Sequence, residues 1–338
     1  MRHVTNGSVF LSRLHDLGVP GRVVPWDDVL HEGPVPAGLS WEELRRVRAE
    51  FLAINWGDVT GIERSLAARD AALVEAMADD EIVLWFEHDL YDQLHVLQVL
   101  DLLQAVRPGQ PGAAATGARV TAILADDYLA AQSDETLAAW FAARQPVSRG
   151  QWAAAAEAWA CFRAPDPMRL SAFDHPGAWP SLRAALRRHL QQFPSVWNGL
   201  SRTERQTLAA VAPGPLAVRD AFRAANHAVE EAIFMGDAGW WSHIRPLLTS
   251  PHPLLRVVGE APADMNHADW WRDDQSAPRL ALTDPGSRVM AGEADHVALN
   301  GIDRWLGGVH LVAAPASTES GPDSIWRWND ARGTVEQR

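Results

Sequence analysis

The stretch Glu81-Ile82-Val83-Leu84-Trp85-Phe86-Glu87-His88-Asp89-Leu90-Tyr91-Asp92-Gln93 carries the reading of the fold. Its first six residues form a nearly continuous apolar run, the pattern of a strand buried on both faces. The run ends abruptly in three consecutive ionisable groups. Helical spacing follows from Asp92 to Ala105. A buried strand feeding a helix is half of a βαβ unit.

Similar alternation extends outward. His3-Val4-Thr5 and Arg22-Val23-Val24-Pro25-Trp26 read as strands before it, and Arg119–Leu124 as a buried strand after it. Helical patterns over Val9–Leu17, Trp41–Phe51 and Ile62–Ala78 fill the intervals, with Ser40 placed as an N-cap. The fold expected for residues 1–130 is therefore α/β: a small, open, mostly parallel sheet, Rossmann- or flavodoxin-like. Residues 131–195 read as a helical connector (Ala131–Arg144, Arg149–Cys161, Trp179–Phe193). Residues 196–313 outline a winged-helix-like domain. Ser201 and Glu204 have capping-box spacing. Helices are expected near Leu216–Ala225 and His227–Met235, then a strand, a turn and another element over Arg279–Met290. Residues 314–338 read as a polar, flexible tail, most of all Ser317–Asp323.

Composition removes whole classes of chemistry. All 30 basic residues other than histidine are arginine. Without lysine there is no Schiff base to pyridoxal phosphate and no P-loop nucleotide site. Cys161 is the single cysteine, which excludes disulfides, cysteine-rich zinc sites and iron–sulfur cages. The formal charge is −13 and both halves are acidic, which argues against a phosphate-backbone partner. The start at Met1-Arg2-His3 shows no signal peptide, and no apolar run nears the ~18 residues of a membrane span. A cytoplasmic bacterial protein, with no membrane partner, is the expectation.

In an open parallel sheet, ligands bind outside the carboxyl ends of the strands. Polar residues concentrate there. Glu87, His88 and Asp89 could do acid/base work as two carboxylates around an imidazole, or hold a divalent metal as hard-oxygen and nitrogen ligands. His31 and Glu32 are expected opposite them as further catalytic groups. Asn6, Gly7 and Ser8 form a turn before a helix that could position an anion. Asp27, Asp92, Gln93 and Asp126 complete the ligand-binding candidates. Against these readings, Asp89 or Asp92 could simply cap the following helix. Asn6 and Ser8 could cap a tight turn, and Asp27–Glu32 could be a solvated loop.

Three segments resemble a bacterial family designated domain of unknown function 1835. They are His3-Val4-Thr5-Asn6-Gly7, Pro25-Trp26-Asp27-Asp28-Val29-Leu30-His31-Glu32-Gly33-Pro34-Val35 and Leu84-Trp85-Phe86-Glu87-His88-Asp89-Leu90-Tyr91-Asp92-Gln93-Leu94. In that family's pattern an Asp often follows the Asn-Gly pair, and Ser8 stands there in this chain. The stretch from Leu282-Thr283-Asp284-Pro285-Gly286 to Gly307-Gly308 is similar to C-terminal regions of such proteins. The resemblance implies an α/β domain in a bacterial protein and brings no activity with it.

The leading expectation is an enzyme, hydrolase or group transferase, or a small-ligand-binding protein. It would act on a polar small molecule, phosphorylated or nucleotide-like, by acid/base or metal-assisted chemistry. The alternatives are a ligand-sensing regulator whose winged helix contacts DNA, and a scaffold whose many tryptophans dock a partner. Oligomeric state is left open.

Overall fold

The computed structural model describes residues 1–7, 10–106, 117–262, 270–271, 277–316 and 324–338. Ser8 and the predicted flexible stretch Ser317–Asp323 lie outside the described residues. In chain order the elements are β1 (Arg2–Asn6), α1 (Leu11–Asp16), β2 (Arg22–Trp26), β3 (Gly33–Pro34), α2 (Trp41–Trp56), α3 (Val59–Glu75), β4 (Glu81–Phe86), α4 (Leu90–Val106), β5 (Arg119–Leu124), α5 (Asp134–Ala143), β6 (Gln145–Pro146), α6 (Arg149–Phe162), α7 (Met168–Ser171) and α8 (Pro180–Leu190). There follow α9 (Arg202–Val211), β7 (Leu216–Ala217), α10 (Val218–Phe222), α11 (Asp237–Thr249), β8 (Leu255–Val258), β9 (Arg279–Leu282), α12 (Asp284–Met290), α13 (His296–Asn300), β10 (Ile302–Gly307), β11 (Val309–Ala313), β12 (Trp326–Asn329) and β13 (Thr334–Gln337). The chain divides into two compact units: Met1–Arg187 with Trp305–Val309, and Arg188–Arg304 with His310–Arg338. No helix among the described residues is long and apolar enough to cross a membrane.

The first unit is mixed α/β around a five-stranded, mostly parallel sheet of order β2-β1-β4-β5-β6. β4 is buried at every position because it is central, with parallel neighbours β1 and β5. Alternate side chains face opposite sides of a strand. Val83 and Trp85 pack with Phe10, Leu14, Ile123 and Leu129 on one face. Phe86 meets His95 of α4 on the other. Only β6 runs antiparallel, along β5.

Helix α2 begins as its sequence requires. The Ser40 hydroxyl accepts from Glu43 N while the Glu43 carboxylate accepts from Ser40 N. One turn of α2 does more than pack. Leu44, Arg48 and Leu52 recur at four-residue spacing on its buried side. Arg48 is 1% exposed and binds Asp28 through Nη2 at 2.6 Å and Nε at 3.0 Å. The same guanidinium donates to Val29 O at 3.0 Å and Glu32 O at 2.8 Å. One side chain thus holds the loop after β2. Gly33 closes that loop at φ +73°, where a Cβ would lie 2.5 Å from the Phe51 ring.

The second unit departs from the periodicity in three places. The helix expected over His227–Met235 is absent. The chain makes a π turn at Arg223–His227 and then an irregular turn, which the Asn226 amide holds by donating to Met235 O at 2.8 Å. The third helix is α11, which starts after Gly236. The helix expected over Leu216–Ala225 instead opens as the short strand β7. The segment after β9, read as a turn and another element, is a helix: Thr283 caps α12, accepting from Gly286 N at 3.0 Å. Residues 326–337 are not a flexible tail. β12 and β13 form an antiparallel hairpin, stabilised because Trp328 and Val335 are buried. Local polarity concealed that apolar pair. Trp240, Trp241 and Trp270 are buried too, with Trp241 and Trp270 rings 4.8 Å apart.

Removing the Arg48 guanidinium would leave the Asp28 carboxylate buried without a partner. Arg48→Ala is expected to lose about 3–5 kcal/mol of unfolding free energy in urea. A loss below about 1 kcal/mol would show that the loop does not depend on this pair.

Candidate functional site

Parallel strands deliver their carboxyl ends to one edge of the sheet. The chain leaves that edge at Asn6–Gly7 after β1, Asp27–Asp28 after β2, Glu87–Asp89 after β4 and Ala125–Tyr128 after β5. Strand order reverses at β1, which pairs β2 on one side and β4 on the other. Such a reversal leaves a crevice between the two strand ends.

Asp92 spans that crevice. It is fully buried in the first turn of α4. Its Oδ1 accepts from the Asn6 amide, and its Oδ2 accepts from Glu87 N at 2.5 Å. It therefore ties the end of β1 to the end of β4. Asp89 caps α4, its Oδ1 accepting from Asp92 N at 3.1 Å. Glu87 accepts from Leu129 N at 2.7 Å, which brings in the segment after β5. Gln93 donates to Glu87 O and accepts from Trp179 Nε1, both at 2.6 Å. Capping is thus part of what these acids do, and Asp89 rather than Asp92 is the cap.

Glu87, Asp89 and Asp92 also offer carboxylate oxygens that all lie within 4.8 Å of one another. Burial raises the pKa of each, and each also feels a neighbouring acid. Asp89 is pushed up to about 7. Asp92 is driven well above its usual range. These three residues could hold a metal ion. His88, expected among the ligands, stays out of the group. β4 ends at Phe86 and the chain bends at 88 and 89, which turns His88 away from the other two. Its ring packs 5.0 Å from that of Tyr128.

The other candidates are spread along the edge. Gly7, at φ +51°, sits so close to Asp27 that a Cβ would lie 3.2 Å from its Oδ1. Asp27 is exposed overall, but desolvation of its carboxylate raises its pKa. His31 and Glu32 are buried and pair with each other at 3.4 Å. They do not join the carboxylate group. The His31 ring instead meets Tyr91 edge-on at 5.9 Å, and Tyr91 meets His95 at 4.3 Å. His95 Nε2 bonds Asp28 O at 2.7 Å, which assigns the ring N–H to that nitrogen. Burial pushes the His95 pKa down to about 3. Asp126 is exposed and lies outside the carboxylate group, while its neighbour Asp127 accepts from Tyr128 N at 2.7 Å.

Sequence reasoning missed Leu129 N, Trp179 and Arg48. A backbone amide leaves no trace in a sequence, and Trp179 is one tryptophan among sixteen. Arg48 did leave one: an arginine between Leu44 and Leu52 on the apolar stripe of α2.

No protein-family model matches the chain, and no curated protein matches it.

The perturbed Asp89 sets a pH dependence. Its folded pKa, about 7, lies above the ordinary 3.8. Between those values the native state keeps a proton that the unfolded chain has released. Asp89 therefore lowers stability as pH rises through that window. Asp89→Asn retains a capping oxygen but cannot titrate. In urea unfolding, its advantage over the wild type is expected to grow from about pH 4 to about pH 7. Parallel profiles for the two proteins would show that Asp89 is not perturbed.

Proposed function

We propose that the chain binds a polar small molecule, phosphorylated or nucleotide-like, at the carboxyl edge of β1 and β4. A divalent cation would be held by Glu87, Asp89 and Asp92, and the reaction would be hydrolysis or group transfer. One contrast carries this reading. The buried acids Asp28, Asp70, Glu81 and Glu204 each meet an arginine. Glu32 meets His31. Glu87, Asp89 and Asp92 have no cation among the influences on them. Among the described residues, each of the other buried carboxylates has an arginine or a histidine beside it, while these three stand together at the strand reversal.

The donor set suits a hard cation, since carboxylate oxygens are its preferred ligands. Such a cation would offset the carboxylate charge and polarise a phosphoryl oxygen. The chain's own groups supply the rest. Asn6 and Gly7 bound the crevice on the β1 side. His88, half-buried beside Tyr128, would be the group that accepts or donates a proton. The strand order β2-β1-β4-β5 favours a Rossmann- or flavodoxin-like domain.

Thermal denaturation with added Mn²⁺ or Mg²⁺ tests the proposal. A saturable rise is expected, equivalent to about 2.7 kcal/mol at a hundred times the dissociation constant. It should vanish in the Glu87→Gln/Asp89→Asn double variant. Cation-dependent turnover of nucleoside phosphates or phosphomonoesters should vanish with it. No shift, or an equal shift in the double variant, would sink the metal reading.

A second reading rests on the second unit. Its order α9, β7, α10, α11, β8, β9, with sheet order β7-β9-β8, supports reading it as winged-helix-like. In a DNA-binding regulator α11 would enter the major groove. Yet Trp240, Trp241, Ile244 and Leu247 turn inward, and the helix carries one arginine, Arg245. Gel shifts with duplex DNA between about 50 and 200 mM salt should show no salt-dependent complex. A steeply salt-dependent one would raise the regulator reading above the first.

A further inference from the structure

Two consecutive residues of α4 grip both backbone polar groups of Glu87. Asp92 Oδ2 accepts from Glu87 N at 2.5 Å, and Gln93 Nε2 donates to Glu87 O at 2.6 Å. The side chain is held as well, its Oε1 accepting from Leu129 N at 2.7 Å. Glu87 is thus fastened at backbone nitrogen, backbone oxygen and carboxylate. Asp89 accepts from Asp92 N, and Asp92 accepts from the Asn6 amide, so each of the three carboxylates has a donor that fixes its direction.

The hold on Glu87 O runs further. Gln93 is fully buried, and its Oε1 accepts from Trp179 Nε1 at 2.6 Å. An indole can only donate and a carbonyl can only accept. A carboxamide has one side for each, so Gln93 fits between them in one orientation. The start of α4 does not need this bridge. Asp89 already caps the helix, and Gln93 N donates to Asp89 O at 3.0 Å. Trp179, itself buried, comes from the segment between α7 and α8. There the His175 carbonyl accepts from Ala178 N at 2.9 Å and from Arg183 Nη2 at 3.0 Å. A tied-down segment is thereby linked, through Trp179 and Gln93, to the first of the three acids.

We infer that Gln93 and Trp179 are positioning residues that make the Glu87, Asp89 and Asp92 group selective for Mg²⁺ over Ca²⁺. The inference rests on the cation reading given above. Mg²⁺ demands near-ideal octahedral geometry and keeps several waters, so a few carboxylates held still suit it. Ca²⁺ takes about 6–8 oxygens in flexible arrangements. Three acids supply few of these, and a Glu87 clamped at three points is not free to swing and offer a second oxygen. Groups that orient metal ligands from behind set metal affinity in the same way.

Thermal denaturation of the whole chain across Mg²⁺ and Ca²⁺ titrations gives both dissociation constants. Wild type is expected to bind Mg²⁺ about tenfold more tightly than Ca²⁺. Trp179→Phe removes the indole donor, and Gln93→Met keeps the length without the amide. Each should weaken Mg²⁺ about tenfold and Ca²⁺ less than about twofold, so that the preference collapses. The double variant should be no worse than Gln93→Met alone, since Trp179 acts through Gln93. Leu66→Ala, a cavity in the packing of α3 on α2, should lower the midpoint and leave the ratio at its wild-type value. Wild type binding neither cation would overturn the cation reading and this inference with it. If wild type does bind, that reading stands, and the inference alone is overturned by any of three results: Ca²⁺ bound as tightly as Mg²⁺, a ratio unchanged in Trp179→Phe and Gln93→Met, or an equal shift of the ratio in Leu66→Ala.

Discussion

A single buried carboxylate organises the edge of the sheet. Asp92 accepts from the Asn6 amide with one oxygen and from Glu87 N with the other. Those donors sit at the ends of two neighbouring parallel strands, whose backbones diverge there. Nothing in strand pairing itself would hold them once the ladder stops. The helix that carries Asp92 starts at Leu90, capped by Asp89, so strand, turn and helix are fastened at one point. Acids are favoured near a helix N-terminus, which eases the placing of Asp89 and Asp92. It does not remove the repulsion among three buried carboxylates, and their raised pKa values record that cost.

Elsewhere the chain deals with buried charge differently. With no lysine, every fixed cation is an arginine, and the planar fork suits several acceptors at once. Arg48 gathers Asp28 and the carbonyls of Val29 and Glu32. Arg144 takes Glu81, holding its pKa near 2 together with Thr121 and Arg119. Arg304 does the same for Glu204, also near 2. These pairs fix loops and helix starts. Against that background the carboxylate group after β4 is an exception, and local violations of a protein's own rules concentrate at functional sites.

The two units arrange their polar groups differently. In the first, strand ends meet a helix start. In the second, the pitch of a helix changes. The π turn at Arg223–His227 makes no new hydrophobic contact obvious from its sequence, yet it ends with the His227 ring edge-on to Phe222 at 5.2 Å. The tryptophan pairs that stand out in the sequence serve mainly as packing: Trp240 bonds Thr207 at 3.0 Å and Trp241 lies against Trp270.

The sequence alone determined the elements whose cause is local. The apolar run Glu81–Phe86 reads as a buried central strand, and it is one. Ser40 with Glu43 and Ser201 with Glu204 announce helix starts through residues three apart, and both capping boxes form. It also marked Glu87, Asp89 and Asp92 as residues at a strand end. Only the tertiary structure decided which of the neighbouring polar groups converge. Asp92 joins Glu87 and Asp89, and His88 turns to Tyr128, because the bend after β4 sets their directions. Asn6 reaches Asp92 across 86 residues, and Trp179 reaches Gln93 across another 86, because β1 pairs with β4 and α4 is enclosed. A hydrophobic pattern fixes what an element is from its nearest neighbours. Which elements then meet depends on packing among distant segments, and that information has no local period to read.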